Sequence, residues 1–183
     1  MRDIVLMGMN HKTAPVELRE CVAFSKDEIS SALESFRDHE AIDEVVFIST
    51  CNRVEIYASS PDVEKAREEV AAFVSVFHEI PRDELDPHLY FKSGSEAVRH
   101  VFRVASSLDS MMVGEPQILG QVKGAYTGAA QKGATGNTLN RLMHKAFSVA
   151  KRVRTETRIA SSAVSISFAA VELARKIFGE LEG

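Results

Sequence analysis

The chain has 183 residues, of which 45% are hydrophobic and 26% are charged. These values are typical of a globular protein and exclude a disordered or collagen-like chain. The length is sufficient to bury a core without support from disulfides. The formal net charge of −4 argues against a general polyanion binder, although one local basic face remains compatible with it.

The cysteine and histidine content argues against a metal centre. With only two cysteines, the chain cannot form a disulfide framework. The two cysteines do not form a Cys-x-x-Cys motif, and no two histidines share a helix face at the spacing of metal ligands. The N-terminus lacks the apolar run of a signal peptide, and no apolar stretch approaches the roughly 20 residues of a membrane span. We therefore expect no metal, no membrane association and a reducing cytoplasmic location.

The first half of the chain alternates between strand and helix patterns. A capping-box pattern at Ser25–Glu28 predicts a helix start, and Ser60-Pro61 predicts another. The predicted strands are Ile4–Met9, Glu44–Ser49, Val54–Ala58 and Leu89–Phe91; the predicted helices are a short one opened by Thr13-Ala14-Pro15, then Ser25–Asp38, Ser60–Glu79 and Ser95–Leu108.

The second half contains no convincing strand after Lys92. Its periodicity predicts helices over Pro116–Lys132, Leu139–Thr157 and Ala163–Phe178. The whole pattern indicates an α+β fold, in which a small antiparallel sheet with packed helices is followed by C-terminal linker helices. No Gly-x-Gly-x-x-Gly or phosphate-loop pattern occurs, so we expect no dinucleotide site in this chain.

Cys51 lies in a four-residue link, Thr50–Arg53, between two predicted strands and has polar neighbours on both sides. The guanidinium of Arg53 favours thiolate over thiol, and a thiolate on a rigid turn can attack a carbonyl carbon. The alternative is that a small residue simply suits a tight turn. Cys21 is instead predicted to be a core hydrophobe.

His100 projects away from the predicted buried stripe of its helix, so we do not expect a core histidine. It is either a solvated surface residue or an acid/base group on a cleft wall, oriented by Glu96 one turn away. The predicted stripe consists of Val98, Val101, Phe102, Ala105 and Leu108.

The segment Leu108–Gln121 is rich in small and polar residues and reads as a turn before a helix. Four of its side chains could hydrogen-bond to a polar ligand: Ser110, Glu115, Gln117 and Gln121. Pro116 is placed in the first helical turn. Met111-Met112-Val113 is predicted to pack on the core.

The predicted helix near the C-terminus is strongly basic. Between residues 139 and 158 it carries six cations and the single acid Glu156. Such a run is either a solvated face or a surface for RNA phosphates.

Three separated motifs resemble the glutamyl-tRNA reductase family. They are MNHKTAP at 9–15, STCNRVEIY at 49–57 and SLDSMMVGEPQILGQVK at 107–123, and they occur in the same order as in the family. The resemblance covers nearly the whole chain, but not a whole protein of the family.

The resemblance implies a catalytic domain over residues 1–157, followed by a linker helix at 158–183 leading to an NADPH-binding domain that the chain lacks. It implies NADPH-dependent reduction of glutamyl-tRNA to glutamate-1-semialdehyde through a cysteine thioester, the first step of tetrapyrrole synthesis. This chain would perform only the acylation or esterase half. The implied partners are glutamyl-tRNA, a second copy in a homodimer, and the downstream glutamate-1-semialdehyde aminotransferase.

The resemblance also implies roles for residues. Cys51 matches the nucleophile and His100 matches a histidine needed for activity. Arg53 would pair with the substrate carboxylate, and either Glu55 or Glu115 would bind the ammonium group. The positions that match the glutamate pocket are Thr50, Cys51, Asn52, Arg53, Ser110, Glu115, Pro116, Gln117 and Gln121.

Two other hypotheses remain open from the sequence. The first is a tRNA- or protein-binding module with an incidental cysteine, which the basic helix favours. The second is a cysteine hydrolase, for which the sequence offers no clear third member of a catalytic triad.

Overall fold

The computed structural model describes residues 2–36, 39–160, 173–175 and 177. Within them, four antiparallel strands form one sheet in the order β2-β3-β1-β4, which confirms the predicted α+β class. The strands are β1 (Asp3–Asn10), β2 (Glu44–Thr50), β3 (Arg53–Ser60) and β4 (Tyr90–Ser93).

The helices flank this sheet and continue beyond it. Through β4 the chain follows a β-α-β-β-α-β order with antiparallel neighbours, the arrangement of ferredoxin-like split βαβ folds. The helices are α1 (Val16–Cys21), α2 (Lys26–Ser35), α3 (Val63–Phe77), α4 (Arg82–Leu85), α5 (Gly94–Ala105), α6 (Gln117–Gln131) and α7 (Asn137–Glu156).

Helices cover both faces of the sheet. On one face, Phe47 of β2 packs against Phe24, Phe36 and Phe73, joining α2 and α3 to the core. On the opposite face, α5, α6 and α7 contact the strands. Because both faces are covered, all eight residues of β3 are buried, including its polar ones. The polar side chains of β3 are therefore shielded from water and need hydrogen-bond partners inside the protein.

Of the two predicted helix starts, the structure confirms one and corrects the other. The capping box is confirmed, since Ser25 N donates to Glu28 Oε2 at 2.7 Å and Glu28 N donates to Ser25 Oγ at 3.3 Å. The start at Ser60-Pro61 is wrong, because Ser60 is still in β3 and Asp62 caps α3 by accepting from Lys65 N at 3.0 Å.

Cys21 is exposed, so its prediction as a core hydrophobe is wrong. The reason is that α1 buries none of its residues, and Val22 and Phe24 beyond its end occupy the core instead.

Glu44 fixes the start of α7 from the far edge of the sheet. The N-cap of α7 is Gly136, which has no side chain to accept from the first turn. The buried Glu44 carboxylate instead accepts from the backbone N–H groups of Gly136, Thr138 and Leu139 at 2.7–3.0 Å. A carboxylate at this position satisfies orphan donors and complements the helix dipole.

The helix predicted over 163–178 lies outside the described residues except for 173–175 and 177, which are helical. Among the described residues, no helix is both long and apolar enough to cross a membrane.

Candidate functional site

Cys51 and Asn52 form the two-residue turn of the β2–β3 hairpin. Thr50 pairs with Arg53 across the hairpin, so the link is two residues shorter than predicted. The Thr50 hydroxyl accepts from Asn52 N and Arg53 N, each at 3.2 Å, and so closes the turn with a side chain. Cys51 itself is exposed. The thiol-bearing residue thus sits on an ordered, accessible turn.

Two neighbouring segments hold this turn from outside. His11 N donates to Asn52 O at 3.0 Å, and Arg19 Nη1 donates to the carbonyl oxygen of Cys51. The cation bonded directly to the backbone of Cys51 is therefore Arg19. Burial and the charge of Lys12 hold the pKa of His11 below its ordinary value, so this imidazole is neutral at neutral pH.

Arg53 is 1% exposed and its guanidinium points into the protein. Nη1 donates to Glu55 Oε1 at 2.5 Å, while Nη2 donates to the carbonyl oxygen of Asp109 and, at 3.3 Å, to its Oδ2. A buried guanidinium needs such compensation, because the desolvated charge would otherwise be very costly. Arg53 thereby ties the cysteine turn to the segment that follows α5.

The end of α5 delivers that segment. Leu108 N donates to Arg103 O at 2.8 Å and Ser107 N donates to Val104 O at 2.9 Å, a Schellman ending. Ser107 occupies the left-handed position with φ of 60°, where glycine is usual, and it is 1% exposed. The sharp stop turns the chain back, so that Asp109 and Ser110 reach the hairpin turn.

A small pocket of about 60 Å³ lies beside Cys51. It has room for about four to six water molecules at roughly 10–15 Å³ each. Its walls combine the turn, the segment after α5 and the first turns of α6: Thr50, Cys51, Asn52, Arg53, Ser110, Glu115, Gln117, Ile118 and Gln121. The structure therefore gathers eight of the nine predicted pocket residues around one space, although their roles stay predictions.

Two predicted residues lie outside these walls. Pro116 is the N-cap of α6, between the wall residues Glu115 and Gln117, and is exposed. His100 lines a second pocket instead.

Met111 and Val113 are 54% and 56% exposed, so the prediction that the run Met111-Met112-Val113 packs on the core is wrong. The segment after α5 passes over the surface at this point.

The prediction that His100 lies off the buried face is also wrong, since it is 8% exposed. The sheet covers the face of α5 that carries Ala97, His100, Val101 and Val104, which is rotated from the predicted stripe. Nε2 of His100 lies 2.8 Å from Glu55 Oε1, so the carboxylate partner of this histidine is Glu55 rather than Glu96.

Glu55 is the centre of a buried polar network. It is fully buried and its carboxylate bonds to Arg53, His100, Tyr90 and Tyr57, the two tyrosine hydroxyls donating at 2.5 and 2.7 Å. One residue thus connects the cysteine turn, α5 and two strands of the sheet, β3 and β4.

Gly8 makes room for this network. It lies directly opposite Glu55 in the β1–β3 register and opposite Tyr90 in the β1–β4 register. A Cβ atom at Gly8 would stand 2.6 Å from Val54 O and 2.8 Å from Glu55 Cγ. Only glycine allows the Glu55 side chain to occupy this place.

Opposing effects set the charges of the network. Burial raises the pKa of Glu55, but the hydrogen bond with His100 and the charge of Arg53 outweigh it and lower this pKa to about 2. Burial likewise opposes ionisation of Asp109, yet the hydrogen bond from Lys12 and the charge of Arg53 keep its pKa below the ordinary value. Burial together with the Glu55 charge raises the pKa of Tyr90, so Tyr90 remains a donor.

Sequence reasoning missed Asp109, Arg19 and the central role of Glu55. The one signal in the sequence was the pairing of Arg53 with Glu55, which lie two residues apart and so on one face of a buried strand. Among the described residues, no three histidine, cysteine, aspartate or glutamate side chains are grouped so that they could hold a metal ion.

Comparison with known proteins places these observations in one family. A family model described as the N-terminal domain of glutamyl-tRNA(Glu) reductase matches residues 7–157. Curated proteins named glutamyl-tRNA reductase from Trichlorobacter lovleyi and Geobacter sulfurreducens are 59% and 58% identical to this chain, each over 179 residues. Each alignment covers 98% of this chain and 41% of the relative.

A solved structure of glutamyl-tRNA reductase from Methanopyrus kandleri superposes with a TM-score of 0.73 at 43% sequence identity. The match covers 99% of this chain and 41% of that chain. The chain therefore spans about two fifths of the length of the relatives it matches.

Proposed function

Because the chain belongs to the glutamyl-tRNA reductase N-terminal domain family, we propose that it performs the acylation half of that reaction on glutamyl-tRNA. The observation that carries the proposal is the position of Cys51, exposed on a closed turn beside a pocket that is lined mainly by polar side chains. The longer protein would complete the reduction to glutamate-1-semialdehyde, the first step of tetrapyrrole synthesis.

In the proposed step, Cys51 Sγ forms a bond to the carbonyl carbon of the aminoacyl ester. The bond from that carbon to the ribose oxygen breaks, the thiol proton passes to this oxygen, and the glutamyl group remains as a thioester. His100 is assigned the proton transfer. Its Nε2 is fixed by Glu55, and its Nδ1 has no hydrogen-bond partner among the described residues.

The pocket suits a glutamyl group because it offers both a cation and an anion. Arg53 has five N–H donors and uses only Nη1 and Nη2 in its hydrogen bonds to the described residues, so it can share a donor with the substrate carboxylate. Glu55 is fully buried among four partners, which leaves Glu115 as the acid for the ammonium group. Ser110, Gln117 and Gln121 supply further hydrogen bonds.

The residues of this chain do not fit a dinucleotide cofactor. None of the connections from a described strand to a helix carries Gly-x-Gly-x-x-Gly, and the sequence contains this motif nowhere. We therefore assign NADPH to other parts of the longer protein and derive no step through it here. A homodimer and docking of the downstream aminotransferase are likewise proposed for the longer protein.

Deacylation of glutamyl-tRNA by the chain alone tests the proposal. Without a reductant, slow hydrolysis of the thioester should release glutamate. Cys51→Ser should lower this rate by about 100-fold or more while binding of tRNA persists. Cys21→Ser is the matched control, because it removes the other exposed thiol and should leave the rate unchanged.

The same variants separate the alternative of a binding module. A module with an incidental cysteine would bind tRNA equally well in wild type and Cys51→Ser, and neither would release glutamate. Equal deacylation rates in the two proteins would also contradict the assigned nucleophile.

A further inference from the structure

A second pocket, of about 430 Å³, opens beside His100. Four cationic side chains line it: Lys12, Lys92, Arg99 and Arg103. Such an excess stands out in a chain whose formal net charge is −4.

Most of these cations lack an acidic partner. Arg99 and Arg103 are exposed, lie one turn apart on α5, and form no ion pair with any described residue. Lys92 lies against the ring of Tyr90, 5.8 Å from its centroid. The acidic residues that line this pocket are Glu96 and Asp109, so the four cations outnumber the acids.

Asp109 offsets one of the four pocket cations, Lys12, and its other carboxylate oxygen faces Arg53. Its Oδ1 accepts from Lys12 Nζ at 2.6 Å, and its Oδ2 lies 3.3 Å from Arg53 Nη2. The Arg53–Asp109 pair is thereby a shared wall, with the Cys51 pocket on the Arg53 side and the basic pocket on the Asp109 side.

His100 also lines the basic pocket. It is more than nine-tenths buried and has Nε2 bound to Glu55. Its Nδ1 has no partner within the described part of the chain. Nδ1 reaches the surface of the pocket, where it can bond to water or to a polar group of a ligand.

We propose that the basic pocket binds a backbone phosphate at the 3′ end of the RNA whose glutamyl group enters the Cys51 pocket. The inference rests on the proposed acylation function and extends it to the nucleic-acid part of the substrate. Arginine forks match phosphate oxygens in a bidentate manner, and Arg99 and Arg103 are spaced to hold one phosphodiester between them. Such contacts position the RNA without reading its sequence.

The shared wall explains why one substrate would occupy both pockets. An aminoacyl ester joins the amino acid to the terminal ribose of the RNA. The nearest phosphodiester is attached to the other end of that same ribose. In the proposed arrangement, the glutamyl group would lie beside Cys51, the leaving ribose oxygen toward His100 and the phosphate over α5.

Binding of glutamyl-tRNA to a Cys51→Ser background tests this assignment. Adding Arg99→Gln and Arg103→Gln should weaken binding by about tenfold and make the log–log salt dependence shallower, by roughly 0.7 for each phosphate that is no longer neutralised. The matched control is Arg141→Gln with Lys145→Gln, an exposed pair with the same spacing on α7. We expect its affinity to stay within about twofold.

A chemical cycle locates the phosphate. A tRNA with neutral methylphosphonate linkages at its last two positions should bind more weakly to the Cys51→Ser protein. It should bind to the Arg99→Gln, Arg103→Gln protein as well as unmodified tRNA does. Three results would overturn the proposal: an unchanged affinity in the α5 variant, equal reductions of affinity in the α5 and α7 variants, or NADP⁺ binding that the α5 variant abolishes.

Failure of this proposal differs from failure of the acylation step. With Cys51 intact and tRNA saturating, the α5 variant should still form the glutamyl adduct. Absence of the adduct in the wild-type chain would contradict the proposed function, whereas an adduct formed with unchanged affinity in the variant contradicts only the phosphate site.

Discussion

At the scale of single residues, the site depends on buried charges that compensate one another. Arg53 and Glu55 are almost completely buried, and each would be very costly alone. Together with Asp109 they satisfy one another: Arg53 lies 2.5 Å from Glu55 Oε1 and 3.3 Å from Asp109 Oδ2. Their position fixes both the cysteine turn and His100, so the electrostatic core of the domain is also the support of the site.

Glu55→Gln tests this dual role. The amide removes the negative charge beside Arg53 and His100, so we expect a loss of about 3 kcal/mol in the free energy of unfolding. We also expect slower deacylation of glutamyl-tRNA, because His100 loses its orienting carboxylate. Urea unfolding and the deacylation rate measure the two effects.

Tyr57→Phe is the control for that substitution. It removes one of the donors to Glu55 and keeps the charges, so its cost should be about 1 kcal/mol. Equal losses of stability in the two variants would show that the hydrogen bonds, rather than the charge of Glu55, hold the network together.

At the scale of secondary structure, the sequence predicted the strands and most helices to within a few residues. The β-branched run of β2 and the capping box of α2 are local signals, and local signals survive folding. His100 was misplaced because periodicity counts apolar residues and cannot recognise a histidine buried by a carboxylate 45 positions away. Asp109 escaped notice for the same reason, since its partner Arg53 is 56 positions away.

Replacing either of two glycines by alanine should change the stability of the protein, but in opposite directions. Gly8→Ala places a methyl group against Val54 O and Glu55 Cγ in the sheet, so we expect a loss of about 1–3 kcal/mol and slower deacylation. Gly124 lies in α6 with nothing within 4 Å of its virtual Cβ, so Gly124→Ala should stabilise the protein by about 0.5–1 kcal/mol. Thermal unfolding of both variants checks the signs, and a stable, fully active Gly8→Ala protein would refute the tight fit around Glu55.

At the scale of the whole molecule, the pKa shifts predict how stability depends on pH. Glu55 has a pKa of about 2 in the folded protein against 4.5 for the free side chain, so its stabilisation is complete above pH 4.5 and lost as the pH falls toward 2. This difference corresponds to about 3 kcal/mol. Asp109 acts in the same direction. Its pKa is also lowered in the folded protein. Burial lowers the pKa of His78, so the unfolded chain binds this proton more readily and the protein begins to lose stability below pH 6.5.

Urea unfolding between pH 7 and pH 3 measures this dependence. The unfolding free energy of the wild type should fall steadily with acidification. Glu55→Gln should show a shallower fall below pH 4.5, because the titrating group is gone. Parallel curves for the two proteins would contradict the assignment of acid lability to Glu55.

The global arrangement also shows what the motifs alone could not give. The residues of two motifs converge on one pocket because Arg53 ties the hairpin turn to the segment after α5, a contact that only the folded chain creates. The division of the site into a glutamyl pocket and a basic pocket, with a shared wall between them, likewise arises from tertiary packing.

The most direct test of the account is the mass of the chain after incubation with glutamyl-tRNA and rapid quenching in acid. We predict one added glutamyl group on the peptide that contains Cys51, removable by hydroxylamine as a thioester, with Cys21 unmodified. Binding of the charged tRNA without any adduct at Cys51 would contradict it.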